Sequence, residues 1–149
     1  MSTRRAVAID IICALFILLF LYASVTKLLD YQEFRVQLGK SPIITSFAPL
    51  VAWFIPVLEI LVSIMLIFQR TRLAGLYLSF GLMTMFTFYI IAITQFSDYI
   101  PCSCGGVLQN MGWTEHLVFN IAFSAFAAAG VLLINKDTDA PPLVVEASL

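Results

Sequence analysis

Four apolar stretches divide the chain, and each is long enough for a helix to cross a bilayer, which takes about 20 mostly apolar residues. Residues 11–26 carry no charge, and the run 6–27 is interrupted only by Asp10 before it closes at Lys27. From 41 to 69 the only charge is Glu59, and neither 73–97 nor 117–135 contains any. None of these runs alternates apolar and polar residues, as a membrane strand of about 10 residues would. Backbone groups in lipid must be satisfied within their own segment, so the runs predict helices. The predicted spans are residues 6–28, 46–68, 73–96 and 115–135, in one domain covering 1–136. The fold class is all-α, an integral membrane antiparallel four-helix bundle. Residues 137–149, with Pro141 and Pro142, read as a short flexible cytoplasmic tail.

Arg4 and Arg5 ahead of an apolar run also fit a signal peptide. That run is longer than a typical signal core, however, and no small-x-small cleavage site follows it. Positive charge in short loops sets orientation. Arg4, Arg5, Arg70, Arg72 and Lys136 flank one side of the predicted bundle, whereas the stretch 96–116 has no Lys or Arg. Both termini are therefore expected in the cytoplasm, with the loop between spans three and four outside. Lys27, Arg35 and Lys40 depart from this rule.

Composition narrows the classes further. Of 149 residues, 61% are hydrophobic and 11% charged, against about 25% charged in soluble domains. The net charge of −1 excludes a cationic nucleic-acid binder. Small residues in span three (Gly75, Ser79, Gly81) and span four (Ser124, Ala125, Ala127, Ala128, Ala129, Gly130) allow close helix packing in lipid.

Candidate chemistry lies in three places. The outer loop carries Cys102 and Cys104, one residue apart, with Gly105 and Gly106 behind them and span four close by. Cysteines on the oxidising side of a membrane tend to pair. A Cys-x-Cys ring is small and strained, and strained disulfides are the labile ones. Thiol–disulfide exchange, a bridge that pins the loop, and metal binding all fit that spacing. For the metal reading, Cys102, Cys104, Met111 and His116 are soft ligands within fifteen residues for Cu(I) or zinc. His116, the only histidine, either hydrogen-bonds at the interface or handles the exchange proton.

Glu59 is the second place. An ionisable residue within a span costs about 2.5 kcal/mol or more and is a functional candidate by default. Pro56 precedes it by one turn and frees a backbone carbonyl. Thr84 and Thr87 fall at similar depth on span three, and Cys13, at similar depth on span one, reads as packing. Third, Lys27 at the end of span one is expected to snorkel to the bilayer edge and pair with Asp30. Trp53 and Trp113 fit the outer interfacial belt.

A small-x-x-Lys-Leu-x-Asp-x-x-x-Phe run after span one, a Pro-x-x-Glu within span two and a Cys-x-Cys-Gly turn before span four resemble the DoxX/MauE group of redox-associated four-helix membrane proteins. The matching positions are Lys27, Asp30, Phe34, Glu59, Cys102, Cys104 and Gly105, and the similarity covers residues 10–134. The resemblance implies a bundle like that of vitamin K epoxide reductase-like proteins, which pass electrons between a disulfide and a quinone. It implies assistance to disulfide formation or maturation of extracytoplasmic proteins. This chain has only Cys102 and Cys104 outside, so a partner would supply the second dithiol.

The expected function is thus a plasma-membrane thiol–disulfide oxidoreductase. Cys102, Cys104, His116 and Glu59 would carry the chemistry, with a quinone held by Glu59, Thr84 and Thr87. The partners would be the lipid bilayer and an extracytoplasmic thioredoxin-like or cysteine-containing protein. The alternatives are an accessory subunit of a larger membrane complex, with a structural disulfide, and a copper or zinc handler.

Overall fold

A computed structural model of the chain describes residues 3–40, 45–96 and 112–138. Its elements are α1 (Thr3–Leu29), α2 (Tyr31–Lys40), a single 3-10 turn (Thr45–Phe47), α3 (Ala48–Ile67), α4 (Arg72–Phe96) and α5 (Trp113–Thr138). No strand occurs among the described residues. Four segments are long and apolar enough to span a membrane: Thr3–Leu29, Thr45–Ile67, Arg72–Gln95 and Thr114–Asn135. The protein is an all-α, multi-pass membrane protein.

Lipid offers backbone and hydroxyl groups no water, so serine and threonine hydroxyls within the spans bond to their own helix. Ser63 Oγ donates to the Glu59 carbonyl at 2.9 Å, Ser79 Oγ to Gly75 at 2.8 Å, and Ser124 Oγ to Asn120 at 2.9 Å. What joins the helices is mostly shape. α1 packs along α3 and α4 along α5, and contacts between α3 and α4 and between α1 and α5 close the ring. The α1–α5 seam is aromatic: Phe16 meets Phe123 edge-on at 5.4 Å, with Phe20 and Phe119 stacked on either side.

The inward face of α1 follows the three-four spacing of a bundle stripe. Ile9, Cys13, Phe16, Phe20, Ser24 and Lys27 are its buried residues. On α3 the matching stripe includes Ala48, Ala52, Ile55, Glu59, Val62 and Leu66. Each stripe therefore carries one charge into the interior.

α2 is an element the apolar pattern does not announce, because Tyr31–Lys40 mixes polar and apolar residues. Helical hydrogen bonding continues through the step at Asp30: its N–H donates to the Thr26 carbonyl at 3.1 Å, and the Phe34 N–H donates to the Asp30 carbonyl at 2.9 Å. α2 thus extends α1 and lays Leu38 against Ala48 and Ala52 of α3.

The α3–α4 turn is held by side chains that satisfy the last carbonyls of α3. Thr71 Oγ1 donates to the Met65 carbonyl at 2.8 Å, and Arg72 Nε donates to that of Leu66 at 3.3 Å. Arg72 Nη1 also reaches Asp10 Oδ1 at 2.7 Å, tying α4 to α1. Just beyond the turn the helices touch closely. A Cβ on Gly75 would stand 3.0 Å from Leu66 Cδ2 and 3.3 Å from the Leu66 backbone nitrogen, whereas one on Gly81 would meet nothing within 4 Å.

These two glycines therefore separate packing from propensity. Gly75→Val should lower the thermal midpoint in detergent, because a branched side chain overpacks the α3–α4 contact. Gly81→Ala should leave the midpoint unchanged or raise it, since helical glycine costs about 0.5–1 kcal/mol relative to alanine.

Candidate functional site

The two inward stripes bring Lys27 and Glu59 together inside the bundle. Lys27 Nζ donates to Glu59 Oε1, and the side chains are 9% and 1% exposed respectively. A buried ammonium and a buried carboxylate are each prohibitive alone, and pairing is what makes both tolerable. The rings of Phe34 on α2 and Phe86 on α4 flank the ammonium, with centroids 5.8 and 5.5 Å from Nζ. Glu59 Oε2 has no hydrogen-bond partner among the described residues.

The expected Lys27–Asp30 pair is not what forms, and Lys27 does not snorkel. Asp30 is exposed at the step between α1 and α2. Lys27 instead falls on the buried stripe of α1, where the carboxylate it meets is Glu59. The resemblance marks both residues, but sequence proximity pointed to the wrong partner. The signal that finds the right one is the three-four spacing, which places Lys27 in register with Ile9, Cys13, Phe16, Phe20 and Ser24.

Beside this pair lies a cavity of about 350 Å³, walled by residues from all five helices. Its polar side chains are Lys27, Glu59, Tyr89, His116 and Asn120, and the rest of the wall is apolar. His116 and Asn120 come from the start of α5. That start is set by a side-chain cap: Glu115 Oε2 accepts from the Gly112 N–H at 2.8 Å, while the His116 N–H makes an ordinary helical bond to the Gly112 carbonyl at 2.9 Å. Such a cap satisfies N–H groups that have no helical partner. Asn120 Nδ2 then donates to the His116 carbonyl at 2.9 Å.

Of the residues singled out in the sequence, Glu59 and His116 thus share one cavity wall. Thr84 and Thr87 are not part of that wall. Their hydroxyls donate at 2.7 Å to the carbonyls of Phe80 and Met83 on their own helix. From α4 the cavity takes Met83, Met85, Phe86, Tyr89 and Ile90. Cys13 is buried in the packed core. Trp53 is 59% exposed on α3, as an interfacial residue would be. Cys102, Cys104 and Met111 lie outside the described residues. Among the described residues, no three His, Cys, Asp or Glu side chains gather as a metal site.

A helical bundle whose only buried ion pair among the described residues stands beside an apolar cavity defines a multi-pass membrane protein with a polar centre. The chain belongs to the MauE family: the family model described as methylamine utilisation protein MauE matches residues 5–133. No curated protein and no solved structure matches the chain.

The pairing makes a double-mutant prediction. Lys27→Met alone strands a buried carboxylate and should cost about 3–5 kcal/mol. Adding Glu59→Leu removes the stranded charge and should restore most of that stability. Denaturant unfolding of the single and double variants in detergent measures the coupling.

Proposed function

We propose that the chain is a thiol–disulfide redox protein of the plasma membrane that assists maturation of extracytoplasmic proteins. Cys102 and Cys104 exchange with the cysteines of a partner, such as a thioredoxin-like protein, on the outer face of the membrane. A thiolate of the partner attacks the Cys102–Cys104 disulfide, and the resulting mixed disulfide resolves. The partner leaves oxidised, and both Cys102 and Cys104 become thiols. A quinone held at the cavity wall beside Lys27 and Glu59 would supply the two-electron, two-proton oxidant that returns both thiols to the disulfide. His116 passes the protons, and both chain termini face the cytoplasm.

Membership of the MauE family supports this reading, and one structural observation carries it. The buried Lys27–Glu59 pair and His116 line a single cavity at the start of α5, the helix to which the Cys-x-Cys segment connects through Gly112. Titratable groups at that place can serve proton-coupled redox chemistry. The quinone contacts fall to the cavity wall rather than to Thr84 and Thr87.

An accessory role in a larger membrane complex makes the opposite forecast for the cysteines. In the redox reading, Cys102→Ser and Cys104→Ser each abolish oxidation of the partner in intact cells, while the protein still accumulates in the membrane. One of the two variants should trap a mixed disulfide, visible as a reductant-sensitive adduct. Unchanged partner oxidation in either variant would falsify the redox role.

A further inference from the structure

Lys27 has three N–H donors, and one is engaged by Glu59. The ring faces of Phe34 and Phe86 attract the cation but do not replace oxygen or nitrogen acceptors. Among the described residues, Lys27 therefore keeps donor capacity without an acceptor, on a side chain that lines the cavity. Donor capacity of this kind in an apolar wall is costly to leave unused.

The cavity also shows what would supply the acceptor. The Lys27–Glu59 pair is neutral as a unit, so a charged ligand would enter an apolar space with no counter-ion. The ligand is therefore neutral. Aromatic rings line the wall, including Phe34, Phe86, Tyr89 and Phe119, and such walls favour a flat ring. Two lining residues are exposed, Phe54 on α3 at 59% and Met85 on α4 at 45%, and the remainder are buried or half-buried. In a membrane-spanning bundle those two side chains face acyl chains, which puts the mouth of the cavity at the α3–α4 seam, open to lipid.

We propose that this cavity binds a membrane-soluble ring bearing a carbonyl oxygen. The ring enters between α3 and α4, and Lys27 Nζ donates to that oxygen. The proposal rests on the redox reading for the identity of the ring as a quinone. Lys27 is its recognition residue, and Glu59 holds Lys27 in place.

The test is titration of the full chain, in dioleoylphosphatidylcholine nanodiscs, with decylubiquinone. Saturable one-to-one binding is expected. The Lys27→Met/Glu59→Leu double variant leaves no stranded charge, and it should bind at least about tenfold more weakly, as loss of a charged donor demands. Met85→Trp at the lipid-facing mouth should slow association without lowering the thermal midpoint. Dioleoylglycerol, whose carbonyls are esters on flexible chains, should not compete.

Absence of saturable binding, an undiminished affinity in the folded double variant, or equal competition by dioleoylglycerol would each overturn the proposal. Repeating the titration on a Cys102→Ser/Cys104→Ser chain separates it from the redox reading. Binding there at wild-type affinity supports the site whatever the cysteines do. Absence of saturable binding in both the wild-type chain and that cysteine variant overturns the site and leaves thiol exchange standing.

Discussion

A positive and a negative side chain, each too costly to bury alone, meet at the centre of this bundle, and the surrounding packing is arranged around that meeting. Lys27 sits near the end of α1 and Glu59 near the middle of α3. Their pairing fixes the register of the two helices. The same register lets α2 continue past Asp30 and lie along α3, where Leu38 meets Ala48 and Ala52. It also brings Phe34 over the ammonium, opposite Phe86 of α4. In hydrocarbon no solvent competes for either charge, so the pair acts as a lock whose alternatives are all expensive. Elsewhere within the spans, serine and threonine hydroxyls turn back onto their own helices and do little to specify register.

The cavity follows from that lock. Small and aromatic side chains pack the α1–α5 and α3–α4 contacts closely at Phe16, Phe123, Gly75 and Gly130. Toward the level of Lys27 the packing opens into a space walled by all five helices. A polar centre, a hydrophobic chamber and a lipid-facing mouth are thereby combined in a small chain. The proposed redox role would use that combination as a place where a lipid-soluble reactant meets titratable groups out of reach of bulk water.

Much of the architecture is legible in the sequence because the bilayer imposes so strong a rule. Apolar runs of about 20 residues can only be helices, and their composition alone places all four spans. α2 escapes that rule, since Tyr31–Lys40 is amphipathic and is stabilised by packing on α3 rather than by lipid. The ion pair escapes it for another reason. Lys27 and Asp30 are neighbours along the chain, and local pairing is the simpler guess, whereas the bundle stripe selects a partner 32 residues away. An estimate of depth along a span likewise says nothing about facing: neither Thr84 nor Thr87 lines the cavity. His116 was visible as the one histidine, and its place on the wall follows from the Gly112–Glu115 cap that starts α5.

The most direct check of the central claim is an internuclear distance measured in a bilayer. Solid-state NMR dipolar recoupling between 15Nζ of Lys27 and 13Cδ of Glu59, with the chain reconstituted in dioleoylphosphatidylcholine, reads that contact without mutation. Strong dephasing, corresponding to a separation within about 4 Å, is the result the buried pair requires. Dephasing no greater than the natural-abundance background would mean that the two charges do not meet, and the cavity built around them would lose its polar centre.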